Sequence, residues 1–396
     1  DIAPGELTAE EQKKGLSLES RAVRNRIAEA GVAAMVKASP ALLYRADLAS
    51  LVTPCNYADD MAKIGECDWI VEVVVERLDI KQRVFTDVEK IRKPGSVISS
   101  NTSGLSVAAM TQGRSEDFRR HFMVTHFFNP VRYMRLLEMI PCVDTDPGLF
   151  AEMAAFGEKV LGKGIVYGKD TPNFIANRVG VFGSAAVIHW MGEFGIGVVE
   201  ADKVFGSAMG RPSSAVFRTA DLVGLDTMVH VINTIYEGCP NDPWRARFQA
   251  PGFMKDMVAK GLLGGKSGAG FYKKVRGEGG SKILAIDLKT LEYGDQPDGK
   301  LACIGAARKQ DTLAGKIREM VYFDDPYGRL AWQVTAETAI YSAQLLGEIS
   351  DDIVNIDRGM RWGYNWEMGP FEAWDAMGLE RSVQRMRDEG MAIPPV

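Results

Sequence analysis

The chain contains few cysteines and histidines and no long apolar run. Its 396 residues include 5 cysteines and 4 histidines, and the cysteines lack the spacing of a zinc site or of a disulfide framework. We therefore expect neither disulfides nor a bound metal. No apolar stretch approaches the roughly 20 residues that span a bilayer, so no integral membrane segment is expected. The net charge of −5 argues against nucleic acid as a general partner.

The rest of the composition is typical of a globular metabolic enzyme. With 46% hydrophobic and 25% charged residues, the chain can bury a sizeable core and should divide into two or three domains. No signal peptide is visible. We expect a cytoplasmic protein if the source is bacterial and an organellar one if it is eukaryotic.

The first 170 residues alternate between predicted strands and helices. Residues 68–75 are rich in β-branched side chains and predict a strand, and apolar residues then recur at helical spacing from Ile80 to Ile91. A turn at 93–95 leads into a second short strand at 96–99. This order predicts a parallel βαβ unit, and therefore part of a doubly wound α/β sheet.

Residues with catalytic chemistry follow these strands. Asn101 and Ser103 come directly after the second strand, at the sheet edge where ligands bind. His126 ends a further predicted strand, and Glu138 lies beyond a short segment. An imidazole can accept a hydroxyl proton while a carboxylate fixes its tautomer. The pair suits oxidation of an alcohol, although a structural His in a turn before Pro130 and an exposed Glu would fit the same residues.

Several segments together resemble one family, the L-3-hydroxyacyl-CoA dehydrogenases of fatty-acid β-oxidation. The resemblance is strongest to the dehydrogenase portion of multifunctional β-oxidation proteins. It implies NAD as cofactor, an acyl-CoA thioester as substrate and a 3-ketoacyl-CoA as product. The segments are Val75-Glu76 with Lys81, Ser-Asn-Thr-Ser at 100–103, His-Phe-Phe-Asn-Pro at 126–130 with Glu138, Asp-Thr-Pro-Asn-Phe-Ile-Ala-Asn-Arg at 170–178, and Gly-Ala-Gly-Phe-Tyr at 268–272.

The resemblance also implies residue roles. His126 would be the catalytic base and Glu138 its orienting partner, while Ser103 and Asn177 would bind the reacting oxygens and the thioester carbonyl. The residues that fall where the family contacts the nicotinamide cofactor are Glu76, Lys81, Asn101 and Ser103. Two alternatives stay open: a non-catalytic acyl-CoA-binding or structural relative, and a dehydrogenase of another 3-hydroxy acid.

The glycine-rich turn of the family is missing from the start of the chain. Dinucleotide-binding proteins place Gly-x-Gly-x-x-Gly after their first strand, and an acidic residue about 20 positions later binds the adenine ribose. The residues at 1–5 resemble the end of the second strand of the family, so Asp1 would be that carboxylate. We expect the natural chain to begin upstream. Asp1 could equally be a charged terminal residue with no role.

Coenzyme A carries phosphates, so binding it requires local positive charge. Arg21, Arg24, Arg26 and Lys37 follow the predicted second strand and are candidates for such a patch. The same four residues would also fit the solvated face of a helix.

After Asp170 the pattern changes to helices alone, and it repeats. Asp202 and Asp357, about 155 residues apart, occupy similar contexts, and the position of Asn177 falls near Ala331 or Trp332 in the second copy. We predict a Rossmann-type NAD-binding domain (1–170), a helical C-terminal domain (171–275), a linker with one strand-like contact (276–300) and a degenerate second helical domain (301–396).

The repeat and the carboxyl end suggest partners. A second helical copy could replace a partner subunit, so we expect a homodimer to be less obligate than in single-copy relatives. Relatives with a similar segment at 365–371 continue into an enoyl-CoA hydratase domain. A fused or associated hydratase is therefore expected beside this chain.

Overall fold

The computed structural model describes residues 1–277, 280–297 and 299–395. They divide into two compact units. The first contains Asp1–Thr102 and Val107–Ile165, and the second contains Ser103–Ser106 and the chain from Val166 onward. The first is an α/β unit of the Rossmann type and the second is mainly helical, which confirms the predicted fold class. The domain boundaries within the helical part stay a prediction.

One sheet follows the strand order β1-β2-β3-β4-β5. Its strands are β1 (Trp69–Glu72), β2 (Val97–Ser100), β3 (Phe122–Phe127), β4 (Leu136–Pro141) and β5 (Gly164–Tyr167). The helices of the first unit are α1 (Ala9–Lys13), α2 (Arg21–Arg24), α3 (Arg26–Lys37), α4 (Tyr57–Asp60), α5 (Leu78–Ile91), α6 (Val107–Thr111), α7 (Glu116–Arg120) and α8 (Pro147–Lys159), with 3₁₀ turns at Ala46–Leu51 and Met61–Glu66.

Strands β1, β2 and β3 run parallel, and β4 pairs antiparallel with β3. The predicted βαβ unit is therefore confirmed as β1-α5-β2. The first strand is shorter than predicted and stops at Glu72. Its carboxylate accepts the backbone N–H of Val74 at 2.5 Å, which turns that donor away from strand pairing.

Both faces of β3 are buried because helices or strands cover each of them. Phe122 lies in an aromatic group with Phe85 of α5 and Phe118 of α7, with ring centroids 5.2 and 5.6 Å away. The next residue, Met123, points to the other face and packs with Leu137 of β4. The alternation of side chains along a strand produces this two-sided core.

The second unit begins with a long helix. Its helices are α9 (Ala176–Phe194), α10 (Val198–Val204), α11 (Phe217–Val223), α12 (Leu225–Gly238), α13 (Gly252–Ala259), α14 (Ala302–Ala307), α15 (Leu313–Val321), α16 (Pro326–Gln344), α17 (Ile353–Gly363), α18 (Pro370–Met377) and α19 (Leu379–Asp388), with 3₁₀ turns at Ser207–Met209, Arg245–Phe248 and Gly265–Ser267. Within the described ranges, no helix is both long enough and apolar enough to span a bilayer.

Helix α9 begins only at Ala176, although Pro172 lies four residues earlier. Asn173 and Phe174 have positive φ angles of 61° and 50°, so neither residue is helical. Both side chains are buried. The helix can therefore start only at Ala176.

The segment predicted as a linker with one strand-like contact contains more structure than that. A three-stranded antiparallel sheet is formed by β6 (Tyr272–Gly277), β7 (Gly280–Ile286) and β8 (Tyr293–Gly294). Part of the predicted linker, at 278, 279 and 298, lies outside the described residues. The many Gly and Lys residues concealed the strands, which are held by backbone pairing and by the hydroxyl of Tyr293 donating to the carbonyl oxygen of Gly270 at 2.5 Å.

The helical repeat is visible in hydrogen bonding. The carboxylate of Asp202 in α10 accepts the backbone N–H of Val216 at 3.0 Å. The carboxylate of Asp357 in α17 accepts the N–H of Phe371 at 2.9 Å. Both carboxylates thus cap the start of a following helix, α11 in one case and α18 in the other.

Candidate functional site

His126 and Glu138 face each other across the β3-β4 pair. They are direct partners in the antiparallel register, and Nδ1 of His126 lies 2.7 Å from Oε2 of Glu138. Both side chains are buried. The ring of Phe128 lies 4.6 Å from the imidazole centroid. Strand pairing thus explains how a His and a Glu 12 residues apart come into contact.

This contact sets the chemistry of the imidazole. An ionised carboxylate can only accept, so this contact places the hydrogen on Nδ1 and leaves Nε2 as the basic nitrogen of the neutral ring. The carboxylate also stabilises the imidazolium that would form. The arrangement is that of a general base with an orienting partner.

Asn101 links the end of β2 to β3, the strand that carries His126. Its side-chain Oδ1 accepts the backbone N–H of Phe127 at 2.9 Å, directly beside His126. Its own backbone N–H donates to the carbonyl oxygen of Glu72 at 2.9 Å. Asn101 therefore joins the carboxyl ends of β1, β2 and β3, the edge at which α/β sheets bind ligands.

A buried lysine lies between two carboxylates at this edge. Nζ of Lys81 is 2.9 Å from each carboxylate oxygen of Glu72 and 3.3 Å from Oε2 of Glu76. The hydroxyl of Ser100 donates to Glu72 at 2.5 Å, and that of Thr102 donates to Glu76. The Lys81 side chain is fully buried, whereas Glu76 is partly exposed. A ligand at this edge could therefore reach Glu76.

Sequence reasoning selected Glu76 and Lys81 but missed Glu72. This residue is the inner carboxylate of the cluster and is only 5% exposed. The available signal was its position inside a strand of β-branched residues, where a charge requires a partner.

The segment that carries Ser103 belongs to the second unit. The hydroxyl of Ser106 donates to Asp170 at 3.0 Å. A Cβ atom at Gly104 would lie 2.8 Å from Oδ1 of Asn173, so this approach requires glycine. Ser103 itself is half-buried beside these contacts.

Asn177 lies in the first turn of α9 and contacts a residue from the second helical copy. The hydroxyl of Tyr364 donates to Oδ1 of Asn177 at 3.2 Å. A Cβ atom at Gly180 would lie 2.3 Å from the Tyr364 ring, so a glycine makes room for it. Because the amide oxygen is occupied, the amide nitrogen of Asn177 is oriented as a donor. Sequence reasoning missed Tyr364, which is 187 residues away.

Asp1 and the basic residues of the first unit make local contacts. The Oδ1 atom of Asp1 accepts the backbone N–H of Ile2 at 2.8 Å, and its amino group donates to the carbonyl oxygen of Cys55 at 2.9 Å. The three arginines form ion pairs, Arg21 with Asp60, Arg24 with Asp59 and Arg26 with Glu11. These pairs favour the solvated helix face over a free phosphate-binding patch.

An α/β unit with a buried His–Glu pair near the carboxyl ends of its strands, followed by a helical unit, is the architecture of a nicotinamide-dependent dehydrogenase. The model of the 3-hydroxyacyl-CoA dehydrogenase NAD-binding domain matches residues 10–171, and that of the C-terminal domain matches 174–274. The chain belongs to the 3-hydroxyacyl-CoA dehydrogenase family, whose members are NAD-dependent oxidoreductases. The match also confirms the predicted cofactor, NAD.

Relatives agree with this assignment. A "Probable 3-hydroxyacyl-CoA dehydrogenase" of Bacillus subtilis is 48% identical over 394 residues, which is 100% of this chain and 49% of that protein. One of the same name from Deinococcus radiodurans is 45% identical over 64% of this chain and 73% of its own length. The chain thus spans about half of the Bacillus relative.

A solved structure supports the fold. The crystal structure of 3-hydroxybutyryl-CoA dehydrogenase from Escherichia coli matches with a TM-score of 0.64 at 19% identity. The match covers 97% of this chain and 89% of that one.

Proposed function

We propose that this chain catalyses the NAD-dependent oxidation of L-3-hydroxyacyl-CoA to 3-ketoacyl-CoA in fatty-acid β-oxidation. The observation that carries the proposal is the buried contact of 2.7 Å between His126 and Glu138 in a chain of this family. A base with a defined tautomer is what removal of an alcohol proton requires.

In this mechanism Nε2 of His126 accepts the proton of the 3-hydroxyl group. Glu138 holds the ring and stabilises its protonated form. Ser103 and the amide nitrogen of Asn177 donate hydrogen bonds to the reacting oxygens and the thioester carbonyl, which stabilises the charge that develops on oxygen. NAD, when bound, supplies the acceptor for the hydride from carbon 3.

The cofactor fits the carboxyl edge of β1 and β2. We assign Glu76, Lys81 and Asn101 to its nicotinamide half, with Ser103 beside the reacting groups. The partly exposed Glu76 carboxylate, held by the buried Lys81, provides an oriented acceptor there. We also retain Asp1 as the carboxylate for the adenine ribose.

A partner follows from the chemistry of the substrate. Hydration of an enoyl-CoA produces a 3-hydroxyacyl-CoA, so we propose that an enoyl-CoA hydratase acts directly before this enzyme, either fused or associated. We further propose a cytoplasmic setting for a bacterial source and a homodimer that is not obligate. Sedimentation of the full-length protein over a range of concentrations tests the last point, and a tight dimer would contradict it.

The test of the reaction is the oxidation of NADH by acetoacetyl-CoA, measured with the full-length protein and with the variant His126→Ala. General base catalysis contributes about 10²–10⁴-fold, so turnover should fall by that factor with the fold retained. His121→Ala is the matched control, because this histidine contacts Asp117 outside the site. Near-normal turnover in His126→Ala would contradict the role of the base. Absence of turnover in the folded native protein would favour a non-catalytic acyl-CoA-binding relative.

The remaining alternative is a dehydrogenase of another 3-hydroxy acid. It is distinguished from the thioester assignment by measuring activity on a 3-hydroxy acid that carries no coenzyme A. If coenzyme A binding contributes to catalysis, removal of that group should abolish measurable turnover. Equal turnover of the free acid would contradict the thioester assignment.

A further inference from the structure

Arg211 is a buried cation without an acidic partner. It follows Gly210 in the loop after the 3₁₀ turn Ser207–Met209, and only 9% of it is exposed. Within the part of the chain that the structure describes, its guanidinium makes neither an ion pair nor a hydrogen bond. Other buried arginines here do have partners, as Arg178 has Asp242 at 2.6 Å. Arg211 therefore differs from an ordinary structural arginine.

Two aromatic rings contact the guanidinium. Its central carbon lies 4.7 Å from the ring centroid of Phe205 and 4.1 Å from that of Trp366. Ring faces attract a cation, but they do not accept its in-plane N–H groups. Burial lowers the pKa of Arg211 to about 9, which leaves the side chain protonated at neutral pH. Among the described residues, its in-plane N–H groups therefore have no acceptor.

A continuous set of contacts connects Arg211 to Asn177. Trp366, which stacks on Arg211, lies against α9, where a Cβ atom at Gly183 would be 3.6 Å from its ring. The ring of Tyr364 is 6.5 Å from that of Trp366, and its hydroxyl reaches Asn177. Gly183 is six residues beyond Asn177, which corresponds to roughly 9 Å along a helix. The two polar groups thus lie at opposite ends of one wall of aromatic side chains.

We propose that Arg211 binds an oxyanion of the substrate, namely the carboxylate at the far end of a dicarboxylic acyl chain whose reacting end lies at Asn177. This inference rests on the proposed dehydrogenase function and names a substrate class for it. A planar guanidinium binds a carboxylate through two parallel hydrogen bonds. The rings of Tyr364 and Trp366 provide an apolar surface for the methylene groups between the two ends. A phosphate of coenzyme A has related chemistry, and the experiment separates it.

The experiment compares two ligands of equal chain length that are long enough to extend from Asn177 past Trp366, dodecanedioyl-CoA and dodecanoyl-CoA. Only the first carries a terminal carboxylate, and neither has a 3-hydroxyl group, so binding can be measured by calorimetry without turnover. The native protein should prefer dodecanedioyl-CoA by about 10- to 100-fold, the range expected for a hydrogen-bonded ion pair. In Arg211→Leu the ratio of the two dissociation constants should fall to about one.

Arg218→Leu is the matched control. Its guanidinium also stacks on a ring, with the central carbon 4.0 Å from the centroid of Tyr272, so this variant tests the loss of a stacked arginine elsewhere and should keep the preference. Arg211→Lys retains the charge without the planar fork and should show a reduced preference, which also keeps the test open if the leucine variant does not fold.

Two outcomes would overturn the proposal. One is equal affinity of the native protein for both ligands. The other is that Arg211→Leu loses affinity for both ligands and for free coenzyme A by the same factor. That result would assign Arg211 to a phosphate of coenzyme A. Failure of the dehydrogenase assignment would appear separately, as absent NADH oxidation with acetoacetyl-CoA, and would leave the binding result readable.

Discussion

The two helical copies of the second unit share a backbone device and differ in their polar groups. Both contain a helix of 19 residues, α9 and α16. In both, a glycine with positive φ separates two consecutive helices, Gly224 at 102° between α11 and α12 and Gly378 at 87° between α18 and α19. In both, a buried aspartate caps a following helix. The copies therefore preserve the turns and caps that define the fold.

The difference lies at the position of the proposed substrate contact. The first copy has Asn177, whereas Ala331 and Trp332 of the second are fully buried in the core. The second copy instead supplies Tyr364 to Asn177 and Trp366 to Arg211. The second copy thus contributes aromatic side chains to the first.

The capping aspartates should produce the largest difference between the copies. Asp202 accepts hydrogen bonds from the backbone of Val216, Phe217 and Arg218 and from the hydroxyl of Tyr272. Asp357 accepts two backbone bonds. Each buried donor left unsatisfied costs about 1–3 kcal/mol. Asp202→Ala should destabilise the protein by about 5 kcal/mol and Asp357→Ala by about 2 to 3, measured by urea unfolding.

Asp226→Ala is the control for these variants. This aspartate pairs with Lys266 on the surface, and such pairs contribute less than about 1 kcal/mol. Equal losses for Asp202→Ala and Asp357→Ala would show that the copies do not differ in how they use the cap.

The second cap should also make stability depend on pH. Burial, more than any other influence, raises the pKa of Asp357 to about 7, so the folded protein holds a proton that the unfolded chain releases near pH 4. The stability from this group is present below about pH 4 and is lost as the pH rises through 7, by up to about 4 kcal/mol.

Asp357→Asn tests this dependence. The difference in unfolding free energy between the native protein and the variant should decrease from pH 4 to pH 7.5. Because burial also raises the pKa of Asp202, the comparison with the variant isolates Asp357. A constant difference across this range would contradict the raised pKa.

Substitution of a polar residue should reduce kcat/KM in the first copy but not at the corresponding helix of the second. Loss of a donor to the developing oxyanion typically reduces kcat by about 10²-fold or more, equivalent to about 3 kcal/mol. Asn177→Ala should therefore reduce kcat/KM by about 100-fold. Thr335→Val is the control in α16, because its hydroxyl donates to the carbonyl oxygen of Ala331 within that helix. A similar loss in both variants would point to a general effect of helix packing.

Removal of the Tyr364 hydroxyl should produce the smallest effect. Tyr364→Phe keeps the ring beside Gly180 but releases the Asn177 amide, and a neutral hydrogen bond contributes about 1 kcal/mol. We expect kcat/KM to fall by about fivefold. Tyr322→Phe is the control, because the Tyr322 hydroxyl is buried and has no hydrogen-bond partner among the described residues. An unchanged kcat/KM for Tyr364→Phe would show that Asn177 is oriented without the second copy.

Local patterns were sufficient to predict the elements around the site. The strand at Phe122–Phe127 lies where a strand ending at His126 was predicted, and the helix at Pro147–Lys159 shows start signals of the same local kind. Asp146 caps the start of that helix and Pro147 lies in its first turn. Both are common signals of a helix start. The strands of the predicted linker were missed because their pairing depends on partners more than on composition.

Contacts between distant residues could not be predicted in this way. Tyr364 reaches Asn177 across 187 positions, and Trp366 stacks on Arg211 from the other copy. No local period encodes such a meeting, since it depends on how α9, α17 and the loops between helices pack. The inner carboxylate Glu72 had a local signal, but its two oxygen contacts with Lys81 depend on the turn into α5.

The antiparallel register of β3 and β4 limits how this protein can vary. Side chains alternate between the two faces of a strand, so a shift of one residue would point His126 and Glu138 to opposite sides of the sheet. The loop between the strands can change its length only if the pairing of His126 with Glu138 is preserved. Insertions in the loop are therefore tolerable in evolution or in design, whereas an insertion within either strand would separate the pair without removing either residue.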